Sequence, residues 1–183
     1  MRPRKDRKSA TADIASRLAP PVEGERRSRQ AGAGRGKNST AVTALVDTDV
    51  LVYRFDPRFK DKQERARALL ETAIRPGILS VPHQALVEFV AATTRPLPKS
   101  GPLLSMDEAT EEVESMLLTF DVLYPDAALV RTALRGVAAY GLSWFDAHLW
   151  AYAEHFGCHI LYSEDFQHGR VYGSVRVVNP FRD

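Results

Sequence analysis

The chain has 183 residues, 44% hydrophobic and 26% charged, with 25 Lys and Arg against 23 Asp and Glu. That length suits one domain with a sizeable core, and eleven Gly and eleven Pro without periodicity exclude a fibrous chain. A single cysteine, Cys158, excludes a disulfide framework and a Cys-rich zinc site, and no apolar run nears the roughly 18 residues of a membrane span.

The basic start, MRPRKDRKSATADIASRL, lacks the apolar stretch of a secretory signal, so a cytoplasmic location is expected. Residues 1–43 carry a net charge of +7, whereas residues 44–183 carry −5. The basic character therefore belongs to the first quarter. Residues 1–42, with few large aliphatics, are expected to be a basic, disordered extension, and residues 43–183 the folded domain. The extension would either touch nucleic acid by simple charge or stay solvated, or else precede the natural start. Its GAGRGKNST stretch fails as a phosphate loop: Ala31 stands where the first Gly belongs, Asn38 where the closing hydroxyl belongs, and no strand precedes it.

From Thr43 the pattern changes. TALVD reads as a buried strand ending in an acid, and TDVLVYRF either extends it or turns into a short helix. Residues 62–74 repeat apolar positions at helical spacing through Ala66, Leu69, Leu70 and Ala73. GILSV is a second strand, and Pro82 opens a helix running to about Thr94. Ser105 and Glu108 have the spacing of a capping box, ahead of a face of Ala109, Val113, Met116, Leu117 and Phe120. VLY after Asp121 is a third strand. Asp126 caps a helix with a face of Leu129, Val130, Ala133, Leu134 and Val137, stopped at Gly141. Ser143 opens a helix to Gly157, and CHILY and VRVVN are the remaining strands. Strands alternating with helices predict a three-layer α/β domain with a mostly parallel sheet.

In such sheets ligands bind beyond the carboxyl ends of the strands. Four acids map to that edge: Asp47 after the first strand, Glu88 in an otherwise apolar helix segment, Asp146 in a first helical turn, and Asp165 after CHILYS. Acids sharing one cleft repel, and a divalent cation removes the conflict; oxygen-only ligands select a hard ion, Mg²⁺ or Mn²⁺. Hydrolysis by metal-activated water is the coherent chemistry. Each acid also has a plainer reading. Asp146 completes a capping box with Ser143, Asp165 is a turn residue that Glu164 can replace as ligand, Glu88 is a half-exposed helix residue, and Asp49 caps the next turn.

Together, ALVDTDVLVY at 44–53, VPHQALVEF at 81–89, YGLSWFDAHLWAYAEHFGC at 140–158 and ILYSEDF at 160–166 resemble the PIN-domain ribonucleases, especially the VapC-type toxins of toxin–antitoxin pairs. The resemblance spans residues 43–181. It implies a PIN-like domain with a central sheet of four or five strands, and a metal-dependent endoribonuclease leaving 5′-phosphate and 3′-hydroxyl ends. Asp47, Glu88, Asp146 and Asp165 match the family's catalytic and metal-binding acids, with Asp49 accessory. Thr48 and Ser163 match the small hydroxyl residues beside the metal. The resemblance also implies a structured RNA substrate such as tRNA, a cognate antitoxin and a homodimer.

Against the family stand the long basic start and the net −5 of the folded part, for which Arg54, Arg58, Lys60, Arg95 and Lys99 would have to supply a local basic rim. Two other functions remain open. A catalytically degenerate PIN-like module would bind RNA or a partner without cleaving. A haloacid-dehalogenase-type phosphatase would form an aspartyl phosphate at Asp47, although Leu51 stands where its signature needs Thr. His155, Cys158 and His159 lack a fourth ligand and are read as packing and surface residues. Trp144, Phe145, Trp150, Tyr152 and Phe156 are read as core or dimer surface.

Overall fold

The computed structural model describes residues 43–72, 78–98 and 100–182. The extension expected over 1–42, Ala73 and Lys99 lie outside the described residues. Strand β1, Ala44–Val46, is followed at once by the short helix α1, Thr48–Tyr53, which settles the ambiguity of TDVLVYRF in favour of helix. Then come α2 (Lys60–Thr72), β2 (Leu79–Pro82), α3 (His83–Thr94), α4 (Met106–Thr119) and β3 (Asp121–Leu123). The chain continues through α5 (Ala127–Tyr140), α6 (Trp144–Phe156), β4 (Ile160–Tyr162), β5 (Val171–Tyr172) and β6 (Val175–Val178).

Five strands are parallel, and the sheet order is β3-β2-β1-β4-β6-β5. The sixth, β5, pairs antiparallel with β6 through Val171–Arg176 and Tyr172–Val175. The expected four or five strands are thus the parallel set; β5 was missed because two residues carry no readable alternation. The hairpin turns at Gly173, φ 59°, where Glu154 accepts hydrogen bonds from the backbone and hydroxyl of Ser174, both at 2.9 Å.

Alternation along β1 sends Leu45 to one face and Ala44 and Val46 to the other. Leu45 joins Leu161, Val175 and Val177 against α5 and α6, through Leu129, Ala133, Leu149 and Trp150. Ala44 and Val46 join Leu79 and Val81 against Val50, Leu51, Ala66, Leu70, Leu86, Phe89 and Met116 of α1 to α4. Helices on both faces of a mostly parallel sheet make the expected three-layer α/β architecture. Among the described residues no helix is long and apolar enough to cross a membrane.

The caps follow the sequence closely. Ser105 and Glu108 form both halves of the capping box, and Asp126 accepts from the Leu129 N–H at 2.8 Å. Gly141 and Gly157 end α5 and α6 in the left-handed region, at φ 67° and 71°.

Two apolar faces are buried only in part: Ala109 and Met116 of α4 and Leu129 and Ala133 of α5 face inward as expected. Leu117 of α4 is exposed, and so are Val130, Leu134 and Val137 of α5, Leu134 by 56%. On α5 Thr132 and Gly136 face inward beside Leu129 and Ala133, and at Gly136 Trp150 of α6 packs too closely for a side chain. Trp150 and Tyr152 are core, whereas Trp144, Phe145 and Phe156 are exposed. Cys158 is buried, and His155 lies 3.6 Å from Asp126.

At Gly136 an added Cβ would lie 2.6 Å from Cε3 and Cζ3 of Trp150, whose indole N–H is fixed on the Tyr172 carbonyl at 2.9 Å. Gly136→Ala is therefore expected to lower stability by about 1–3 kcal/mol through overpacking, overriding the ~1 kcal/mol that Ala gains over Gly in helix propensity. Urea unfolding of parent and variant measures the difference, and an unchanged or raised midpoint contradicts it.

Candidate metal centre

Parallel β1 and β4 lie side by side, while the chain leaves β1 toward β2 on one side and enters β4 on the other. The crevice beyond their carboxyl ends is the switch point where such sheets bind ligands. Asp47 stands at this point. Its N–H donates to the Tyr162 carbonyl at 3.0 Å, so it continues the β1–β4 ladder. Its side chain then caps α1: Oδ1 accepts from the Thr48 N–H at 2.6 Å. Oδ2 accepts from the Ser163 hydroxyl, also at 2.6 Å.

Asp47 is only 7% exposed. Burial pushes its carboxyl up to about 7; the Ser163 and Thr48 bonds pull it down, and repulsion from Asp165 and Glu88 pushes it up again. Asp49 behaves alike. Its Oδ1 accepts from Val50 N–H at 2.6 Å and its Oδ2 from Glu164 N–H at 3.1 Å. Burial and the neighbouring Asp47 and Glu164 charges push it to about 8 against its two backbone bonds.

Glu88 comes from the second turn of α3 and is half-buried. Thr48 Oγ1 donates to its Oε2 at 2.8 Å, and Gln84 Nε2 to its Oε1 at 2.8 Å. Thr48 and Ser163 thus each hold one carboxylate, the arrangement expected of small hydroxyls beside a metal.

Asp165 is exposed, and its N–H donates to Ser163 Oγ at 3.1 Å. Partial burial raises its carboxyl, as do the charges of Asp146 and Glu164, while Lys62 lowers it. Asp146 sits in the first turn of α6, where its N–H donates to Ser143 Oγ at 3.2 Å. The return half of that capping box is absent, and the Asp146 charge is near enough to raise the Asp165 carboxyl.

Glu164 turns away. Its Oε1 accepts from Tyr53 OH at 2.7 Å and its Oε2 from Lys62 Nζ at 2.5 Å, which makes it a counter-ion rather than a free donor. Lys62 lies against the Tyr53, Phe59 and Phe181 rings, 4.3, 5.6 and 5.3 Å from their centroids.

Two of the five residues expected to form the basic rim are spent elsewhere. Arg54 pairs with Glu112, and Arg58 with Asp56 at 2.6 Å; Lys60 and Arg95 remain exposed. The cation beside the acids is Lys62, which the sequence hid in the charge-rich run KDKQERAR. Gln84 was missed as a partner of Glu88, and His148, which the sequence left facing either the acidic cleft or solvent, has its ring Nδ1 2.6 Å from Gln84 Oε1.

The donor set fits a hard divalent cation: its acids supply only oxygen, and repulsion links Asp47 to Glu88, Asp49 and Asp165, and Asp165 to Asp146. Even so, among the described residues no three Asp, Glu, His or Cys side chains already surround a common point. The oxygens of Asp47, Asp49 and Glu88 are instead held by protein N–H and O–H donors, each leaving lone pairs free.

The raised carboxyls have a consequence for stability. An unfolded Asp titrates near 3.8, so between that pH and 7–8 the folded chain holds more protons than the unfolded one. Stability contributed by this pair is complete below the unfolded value and is lost as pH rises through the folded values. In chelator, melting temperature is expected to fall from about pH 5.5 to about pH 8, and more steeply for the parent than for an Asp47→Asn, Asp49→Asn double variant. Parallel profiles contradict the assignment.

The PIN domain family model matches residues 44–174. Among solved structures the chain is similar to Mycobacterium tuberculosis VapC20, described as a sarcin–ricin-loop-cleaving toxin, at TM-score 0.50 and 18% identity, covering 66% of this chain and 88% of that one. A toxin–antitoxin complex from Klebsiella pneumoniae matches at TM-score 0.54 and 20% identity, covering 75% and 98%. FitAB bound to an IR36 DNA fragment matches at TM-score 0.56 and 18% identity, covering 76% and 96%. At such identities the likeness is one of fold. No curated protein sequence matches the chain. With the family model spanning β1 to the β5–β6 turn, and with the same fold in these toxins, the chain belongs to the PIN domain family.

Proposed function

We propose that this protein is a divalent-metal-dependent endoribonuclease and the toxin of a toxin–antitoxin pair. The observation that carries the reading is the buried Asp47 carboxylate, held by Ser163 at the sheet's switch point and repelled there by Glu88 and Asp165. A carboxylate withdrawn from water among other acids is costly unless a cation uses it. Family membership supports the same chemistry, because PIN-domain proteins are generally metal-dependent nucleases.

Asp47, Glu88, Asp146 and Asp165 would hold Mg²⁺ or Mn²⁺, with Asp49 accessory. When bound, the cation neutralises these charges, polarises a phosphoryl oxygen and lowers the pKa of water. The chain's own groups do the rest. Ser163 and Thr48 keep Asp47 and Glu88 from rotating out of the cleft. Asp165, exposed at the mouth, is accessible to take a proton from water entering beside the phosphodiester. Lys62 neutralises Glu164 and so limits the negative charge that RNA must meet. Water attacking in line with the departing 3′-oxygen leaves a 5′-phosphate and a 3′-hydroxyl.

A structured RNA is the substrate class suggested by the description of VapC20 as a sarcin–ricin-loop-cleaving toxin, and the resemblance to VapC-type toxins brings tRNA into that class. The complexes among the similar structures suggest a cognate antitoxin, and the exposed Val130, Leu134 and Val137 stripe of α5 suits a homodimer. A second reading, a PIN-like module that binds RNA without cutting, draws on the lack of three ready-gathered donors among the described residues. It predicts RNA binding without cleavage under any divalent ion.

Total RNA incubated with the full chain, with and without Mg²⁺ or Mn²⁺, separates the two. The parent is expected to cut only with metal and to leave ligatable 5′-phosphates. Asp47→Asn is expected to lose at least about 100-fold in rate, since residues merely behind metal ligands already cost 10–100-fold. Parental cleavage by that variant overturns the assignment.

A further inference from the structure

Glu88 is aimed from both sides. Thr48 holds one oxygen, and Gln84, one helical turn earlier on α3, holds the other. A carboxylate only accepts hydrogen bonds, so the Gln84 amide must turn its NH₂ toward Glu88. Its carbonyl oxygen Oε1 is thereby directed at α6, where it lies 2.6 Å from His148 Nδ1. A carbonyl cannot donate, so Nδ1 carries the proton. With the amide reversed, its oxygen would face the Glu88 carboxylate and its NH₂ would face an N–H. Both contacts would be repulsive.

The imidazole is itself seated. Its ring stands at 90° to Tyr152 with centroids 5.3 Å apart and is tilted by 37° on Trp144 at 5.8 Å. Trp144, His148 and Tyr152 are spaced four apart on α6, so one stripe of that helix clamps the ring. The result is a path from α6 to Glu88 on α3 that passes through one amide with a single permitted orientation.

We propose that Gln84 and His148 are positioning residues: the His148 Nδ1–H selects one orientation of the Gln84 amide, and that amide aims Glu88 into the acidic cleft for a divalent cation. This rests on the metal-binding reading of the cleft. Neither residue needs to touch RNA in this role. The helix that supplies Asp146 thereby also orients an acid on another helix, so two donors move as a unit.

Mn²⁺ titration of the full chain by calorimetry tests this without any substrate. Gln84→Leu and His148→Leu are expected to weaken Mn²⁺ binding about 10–100-fold, the usual cost of removing a partner behind a ligand. His148→Asn, whose Nδ2–H lies where Nδ1–H does, restores most of the loss. His148→Gln carries its donor one carbon farther and does not. If the Leu variants fail to fold, the Asn and Gln variants decide, and equal Mn²⁺ affinity in those two overturns the proposal. Glu88→Gln separates the two levels. If it weakens binding while Gln84→Leu and His148→Leu bind as the parent does, the positioning role alone is wrong. If it too binds as the parent does, the metal reading falls and the positioning role with it.

Discussion

Burial of carboxyl groups beside one another at the end of a parallel sheet is the constraint on which the site depends. Two like charges a few ångströms apart cost on the order of 4 kcal/mol at an effective dielectric constant near 20. A hydrogen bond to a charged group returns about 1.5–3 kcal/mol. Asp47 has two such bonds, from Thr48 and Ser163, and faces burial together with the charges of Glu88 and Asp165. The favourable and unfavourable effects are comparable, so its carboxyl settles near neutrality rather than deep in the acid range. The protein donors alone do not keep the whole cluster ionised at neutral pH. A cation does.

The loop after β4 shows how neighbouring residues divide this work. Ser163 holds Asp47, and its oxygen also accepts from the Asp165 N–H. Glu164 sends its side chain to Tyr53 and Lys62 while its N–H supports Asp49. Asp165 is left exposed at the mouth. Three consecutive residues therefore supply an orienting hydroxyl, a neutralised strut and an accessible acid.

Much of this was legible in the sequence, and the physical reasons separate what was from what was not. Asp47 stood out because an acid ending the apolar run TALV is hard to explain by packing, and the cap that it gives α1 uses only one of its oxygens. Ser143, Asp126 and the Ser105–Glu108 pair were readable because capping is local and fixed by spacing. The choice between Glu164 and Asp165 was not readable, since it turns on Lys62, 102 residues away along the chain. The meeting of Gln84 with His148 escaped for the same reason: Gln84 looks ordinary on its own helix, and which way His148 faces depends on how α3 and α6 cross. The buried face of α5 was read correctly at Leu129 and Ala133 but not at Gly136, because hydrophobic periodicity favours large residues whereas the close approach of Trp150 demanded glycine.

The sheet's margins carry a further consequence. It ends on β3, three residues long, at one side and on β5, two residues long, at the other. Neither margin offers enough unpaired main-chain groups to template another chain's strand, which blunts edge-to-edge zippering and amyloid-like growth. Among the described residues the helices and loops, not the sheet margins, are what this domain offers to a clasping partner, so side-chain fit there can change without disturbing the sheet that carries Asp47.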